Sequence, residues 1–265
     1  MTRALAAALL IALLPSRAGA VTSYADCAAM VDEDPERARN EAVDWYAATG
    51  ALGALHCEAL ALAAEGAFRT AAQKLAALAG APELSAGESV AVRVQAARLY
   101  RADHDLDGAR AILDEAIAAN PGAAAAAYVE RAALQAEDQA WTGAKADLDS
   151  ALRLQPRDAE ALALRAAARR HLGDAAGGVL DAKAAIAADP GHAPGWLELG
   201  VAERARGDAG AARKAFLGAI EAAPDSPSAA MARNALQDMA APEAGAPTGT
   251  KRQGAAPAPP SHTTR

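Results

Sequence analysis

An all-α, right-handed solenoid of antiparallel helix hairpins is the fold class the sequence predicts. Three observations carry that expectation. Hydrophobic residues make up 52% of the chain but aromatics only 3%, and the apolar content is mostly alanine. Alanine gives up no side-chain entropy in a helix, so this composition favours helix over strand. It also limits core volume, and stability then comes from many small contacts along the chain. Pro121, Pro156, Pro190 and Pro224 recur at spacings of 35, 34 and 34 residues. A fixed period near 34 marks an array of helical hairpins, each closed by a proline that cannot continue the preceding helix. Finally, Gly173-Asp174 and Gly207-Asp208 recur at the same period. Glycine permits a left-handed residue after one helix, and aspartate can cap the next.

The first twenty residues read as a cleavable export signal. Arg3 gives a positive start, residues 4–14 are an unbroken apolar run, and Pro15 ends it. Ala18-Gly19-Ala20 then supplies the small-residue pattern for cleavage after Ala20. Eleven apolar residues are too few to span a bilayer, which takes about 20. No lipobox triplet precedes Cys27, where the run is Tyr24-Ala25-Asp26. The short positive start resembles bacterial signals, making the expected destination the periplasm.

Loss of Arg3 and Arg17, with no acidic residue, takes the formal charge from −7 to −9. An acidic chain without a basic run argues against nucleic acid and anionic membrane surfaces. Cys27 and Cys57 are the only cysteines, and an oxidising compartment favours a bridge between them over two separately buried thiols. A bridge across about 30 residues is worth roughly 3–4 kcal/mol by chain-entropy arguments.

Reading back from each proline fills in the repeat. Residues 193–226 carry Trp196, Leu199, Gly200, Ala212, Phe216, Ala219 and Pro224. Residues 159–192 carry Leu162, Ala166, Ala185 and Pro190, and residues 125–158 carry Tyr128, Ala132, Trp141, Ala144, Leu148, Ala151 and Pro156. Residues 90–123 carry Ala97, Tyr100, Ala109, Leu113, Ala116 and Pro121. On these residues the chain resembles the tetratricopeptide repeat family, as an exported bacterial member. The resemblance implies that Gly200 and Ala212 meet where two helices cross, and that Trp196 and Phe216 fill the space between hairpins.

Around the four repeats, residues 21–80 read as two degenerate hairpins, with Leu55, Ala59, Leu62, Gly66, Phe68, Ala71 and Leu75 in the second. Residues 81–89 read as a loop, 227–240 as a capping helix with Met231, Leu236 and Met239 near one face, and 241–265 as a disordered tail. A Cys27–Cys57 bridge would staple the end of the stack, where a repeat lacks a neighbour.

No chemistry is legible. The chain has no His-Glu-x-x-His helix, no phosphate loop, no Cys-x-x-Cys and no Gly-x-Ser-x-Gly elbow, so no catalytic, cofactor or metal site is expected. His56 beside Cys57 is the nearest thing to a ligand pair, and Asp32, Glu33 and Asp34 precede a helix start that they would complement.

The resemblance does imply a groove, lined by the second, fifth, ninth and twelfth positions of each first helix. Those positions hold Ala91, Val94, Arg98 and Arg101; Ala126, Val129, Ala133 and Ala136; Glu160, Ala163, Ala167 and Arg170; and Pro194, Leu197, Val201 and Arg204. The floor is small and aliphatic, with four arginines against one glutamate. Arg101, Arg170 and Arg204 also suit the last turn of a helix, where cations complement the macrodipole, but Arg98 lies a turn earlier. Members that bind chaperone tails place an asparagine beside the groove, where this chain has Gln95, Glu130, Leu164 and Glu198. The expected function is a non-enzymatic adaptor or scaffold that takes a protein or peptide partner through Val94, Arg98, Arg101, Val129, Arg170, Leu197, Val201 and Arg204. The partner would be acidic or present a C-terminal carboxylate. The alternative is a structural subunit of an envelope assembly, working through its convex face or tail.

Overall fold

The computed structural model describes residues 21 and 23–240. The export signal at 1–20 and the tail at 241–265 lie outside the described residues. Among those described, the chain is entirely helical, with thirteen helices and no strand. They are α1 (Tyr24–Glu33), α2 (Pro35–Thr49), α3 (Leu52–Ala64), α4 (Phe68–Leu78), α5 (Ala86–Ala102), α6 (Leu106–Ala119) and α7 (Ala125–Glu137). They continue as α8 (Trp141–Leu154), α9 (Ala159–His171), α10 (Ala175–Ala188), α11 (Ala193–Ala205), α12 (Ala209–Ala222) and α13 (Pro227–Ala240).

The periodic signals act at the helix ends. Each of the four prolines sits two residues past the last residue of α6, α8, α10 or α12. Asp105, Asp158, Asp174 and Asp208 cap α6, α9, α10 and α12, each side chain accepting a bond from the backbone N–H three residues on. Helix α5 starts at Ala86, inside the stretch expected to be loop. The reason is a capping box: Ser85 accepts from the Glu88 N–H while the Glu88 carboxylate accepts from the Ser85 backbone.

Within each pair the turn is the same. Asp105, Ala140, Asp174 and Asp208 donate their backbone N–H to the carbonyl five residues back, at 2.7–3.0 Å. The residue before each is left-handed: His104 (φ 60), Gln139 (φ 60), Gly173 (φ 87) and Gly207 (φ 85). The α3–α4 turn repeats the pattern through Gly66 and Ala67. Left-handed backbone costs an L-residue about 1–2 kcal/mol, part of which glycine gives back in unfolded-chain entropy, about 0.5–1 kcal/mol. Gln139→Gly is therefore expected to stabilise the protein by about 0.5–1 kcal/mol, read as a raised urea midpoint.

Pairs α5/α6, α7/α8, α9/α10 and α11/α12 each pack internally and against the next. The first helices also touch one another, α5 on α7, α7 on α9, α9 on α11 and α11 on α13, giving a shared inner layer. The core is largely alanine, with one large and fully buried side chain on the second helix of most pairs: Leu75, Leu113, Leu148 and Phe216. Their counterpart on α10 is Ala182, covered by Leu199 and Trp196 from the next pair. Phe216 is fully buried, and a Cβ on Gly200 would lie 2.5 Å from two atoms of its ring. The small residue at 200 thus makes room for the Phe216 ring within its own hairpin. Trp196 lies on Gly218 of the same hairpin, packs also toward α10, and donates its Nε1–H to the Pro190 carbonyl at 2.9 Å.

At the N-terminal end, α1 packs across both α2 and α3 instead of closing a simple hairpin with α2. Cys27 and Cys57 form a disulfide with Cα atoms 6.1 Å apart, tying α1 to α3. The bridge is wholly buried among Val21, Ala42, Met30, Val31 and Trp45. At the other end, α13 covers Phe216 and Leu197 with Ala232, Leu236 and Met239 while Met231 faces out.

Candidate functional site

The inner layer brings some of the expected groove positions to one hollow and leaves others out of it. Arg98 and Arg101 of α5, Ala126, Val129, Glu130 and Ala133 of α7, and Glu160 and Leu164 of α9 line a hollow of about 240 Å³. Val94 and Leu197 are buried in the stack, and Val201 is half-buried. Arg170 and Arg204 lie outside the hollow, toward the C-terminal end of the same layer.

The charges of this face are largely partnered within the chain. Arg98 Nε donates to Glu130 Oε1 at 2.6 Å, and Arg101 lies 3.5 Å from Glu137. Arg170 reaches Glu198 at 3.4 Å, and His192 Nε2 meets Glu160 at 2.9 Å. Among the four arginines only Arg204 has no ion-pair partner among the described residues. Helix-end position does not account for Arg98; an inter-helix pair does. Glu130 and Glu198 occupy the sites where the family's tail binders carry asparagine, and here they hold arginines of the preceding pair. Gln95, the first such position, bonds His56 at 2.6 Å. Burial pushes the Glu198 carboxyl above the usual carboxylate range, against the pull of Arg170.

A second set of charges lies deeper and was not anticipated. Arg131 donates Nε and Nη2 to both oxygens of Asp147 at 2.8 and 2.7 Å, and Nη1 to Asp114 at 2.6 Å. Arg165 repeats this one pair later, on Asp181 at 2.8 and 2.8 Å and on Asp149 at 2.9 Å. Asp147 and Asp181 are buried. Each arginine thereby joins its own hairpin to the second helix of the one before. Burial works against the Asp149 charge, but Lys145 and Arg165 outweigh it and hold the carboxyl below the usual range. An arginine followed sixteen residues later by an aspartate, repeated once at the 34-residue period, was the signal available in the sequence.

Two of the described histidines are engaged in ring contacts. Cys57 is consumed by the disulfide, and the neighbouring His56 stacks on Tyr24 with centroids 5.4 Å apart. His171 lies parallel to Trp141 at 3.9 Å, and burial, then Arg170, lowers its pKa. Asp34 caps α2, accepting from the Arg37 N–H. No group of three or more metal-ligating side chains occurs among the described residues, and no helix there is long and apolar enough to cross a membrane.

No known protein family's sequence profile matches the chain, and no curated protein matches its sequence. Among solved structures the chain is similar to the APC/C hetero-tetramer Cut9–Hcn1, at 13% identity and a TM-score of 0.61 over 80% of this chain. It spans 41% of that protein's length. It is also similar to MamA, at 19% identity and a TM-score of 0.51 over 62% of this chain and 93% of the other. Both are tetratricopeptide repeat proteins, and at these identities the likeness concerns the fold. The stack of helix pairs is a solenoid of that type.

Proposed function

We propose that the protein is a non-enzymatic adaptor of the bacterial periplasm that holds an acidic segment of a partner protein along its inner layer. The observation that carries this reading is the hollow across α5, α7 and α9, where Arg98 and Arg101 stand at the rim of an aliphatic floor. Arg98 is more than half exposed although paired, so an incoming carboxylate can take it from Glu130 without any repacking. The exchange keeps the guanidinium satisfied but leaves Glu130, whose side chain is only 15% exposed, without its partner, so Glu130 competes with the incoming carboxylate. Four repeats at 90–123, 125–158, 159–192 and 193–226 present that surface. The buried Cys27–Cys57 bridge supports the periplasmic assignment, since such bonds persist in oxidising compartments.

The two sides of the Arg98–Glu130 pair give opposite expectations. A partner captured by cross-linking in periplasmic extract is titrated against the variants by calorimetry. Arg98→Ala is expected to weaken binding several-fold, and Glu130→Gln to strengthen it about two- to five-fold, the range an exposed pair of up to ~1 kcal/mol allows. Raised salt should narrow both differences. Unchanged affinity for both variants would mean that the pair serves only to join α5 to α7.

A second reading rests on the outer face. Leu180 and Leu217 of the second helices are 68% and 54% exposed, and Leu217 lines a hollow of about 430 Å³ with Trp196, Lys214 and Glu221. Such leucines suit a structural subunit packed by its convex side. Leu217→Asp would then abolish assembly while leaving the Arg98→Ala titration untouched.

A further inference from the structure

Val21 stands three residues before the first helix, yet only 4% of its surface is exposed. Its side chain is packed against the Cys27–Cys57 bridge, Ala42 and the half-buried Met30, Val31 and Trp45. Its backbone nitrogen points at α2 and lies 3.4 Å from Glu41 Oε2. A segment this near the start of a domain is ordinarily loose unless something ties it down. Here the tie is a side chain in an apolar socket and a nitrogen aimed at a carboxylate. Val21 is also the residue that the Ala18-Gly19-Ala20 cleavage pattern would leave first.

We infer that Val21 is the processed N-terminus and that its new ammonium group is seated on Glu41, so that removal of the leader completes the N-terminal end of the fold. The inference rests on the export reading above. In the uncleaved chain the Val21 nitrogen is an amide carrying one hydrogen and no charge. Hydrolysis adds water across the Ala20–Val21 bond: the C–N bond breaks, Ala20 keeps a carboxylate, and the Val21 nitrogen leaves as a protonated amine. A single neutral donor to Glu41 becomes a cation with three donors at the same place. Glu41 can accept it while holding Arg37, whose Nε lies 3.7 Å from the other carboxylate oxygen.

On α2 itself Asp34, Glu36, Arg37 and Asp44 line one hollow with Glu41, three carboxylates that also favour a cation there. From α1, Asp26 is engaged by the Ser23 hydroxyl at 2.8 Å; from α3, His56 is turned to Tyr24 and Gln95. Pairing with Glu41 favours the charged amine and raises its titration point above the roughly 7.7–8.0 of a free α-amino group. The stabilisation is therefore complete below that range and is lost as pH rises through the higher folded value. The disulfide holds α1 against α3 in every form of the protein, so the effect is read without loss of the fold.

The test compares four proteins, all oxidised: the form recovered from the periplasm, the same protein acetylated at its α-amine, a form carrying one extra residue before Val21, and Glu41→Gln. The recovered form should have an intact mass beginning at Val21. Its melting temperature should exceed those of the acetylated and extended forms by about 2–4 °C at pH 7, the shift typical of a modest change in a domain of this size. That advantage should vanish between pH 8 and 10, and Glu41→Gln should lack it throughout. A mass beginning at another residue would overturn the cleavage site, and with it the seat. A mass beginning at Val21 with melting curves unaffected by acetylation or extension would overturn the seat alone and leave the export reading standing.

Discussion

Arg131→Met is expected to cost about 3–5 kcal/mol, because it strands a buried carboxylate. Asp147 is only 7% exposed and takes two of its bonds from Arg131, leaving Gln135 at 3.0 Å as its remaining side-chain donor. A neutral amide cannot balance a desolvated charge. Arg165→Met should cost less, since Arg169 still lies 3.2 Å from Asp181. The double variant Arg131→Met/Asp147→Leu should recover most of the loss, and the chain itself contains the precedent. At the matching positions of the last pair stand Leu199 and Ala215, both buried, with no charge at all. Urea midpoints of the single and double variants measure the coupling. Equal midpoints for the two single variants would contradict the role given to Arg169. In the Arg165 clamp the acid limb is informative too. Asp149 titrates below the usual carboxylate range in the fold, so its contribution is present above about pH 4 and is lost as pH falls through the folded value. Arg165→Met should flatten that limb.

Phe216→Ala is expected to cost a similar amount, about 3–5 kcal/mol, by emptying the space above Gly200 and beneath α13. Gly200→Leu errs the other way, forcing atoms into the Phe216 ring, at about 1–3 kcal/mol or more. Together the two changes exchange volume across one contact, so their effects should be strongly less than additive. The measurement is again the denaturation midpoint, with the far-UV helix signal as a check on α13. Additive losses would place the two residues in separate environments.

Much of this architecture was legible in the sequence because helix ends are local chemistry. Pro121, Pro156, Pro190 and Pro224, and the aspartates that cap the second helices, act through their own backbone neighbours. Period alone finds them. The α5 start at Ala86 was missed although its Ser85–Glu88 box was in plain view, because Gly80 and Pro82 nearby suggested a longer loop. The groove was legible only as a set of positions. Their spacing put Arg98, Arg101 and Val129 on one face, but it could not show that Val94 and Leu197 are buried or that Glu130 and Glu198 answer the arginines. Those facts depend on how one hairpin leans on the next. So does Gly200, whose partner is decided by the size of Phe216 rather than by its repeat position.

The buried arginines also make the joints of the solenoid chemically unequal. Arg131 rivets the hairpin of α5 and α6 to that of α7 and α8, and Arg165 does the same one joint later, each with bonds of 2.6–2.9 Å on both sides. The joint after α10 has no such buried arginine; it is held by Leu199 and Trp196 packed with Val179 and Ala182, by His192 on Glu160 at 2.9 Å, and by Lys183 with Glu203 and Arg170 with Glu198 at 3.5 and 3.4 Å. The two earlier joints therefore depend on buried charge pairs, and the joint after α10 depends mainly on apolar packing. Strong acid, which neutralises the carboxylates, should therefore loosen the two arginine joints and spare the apolar one.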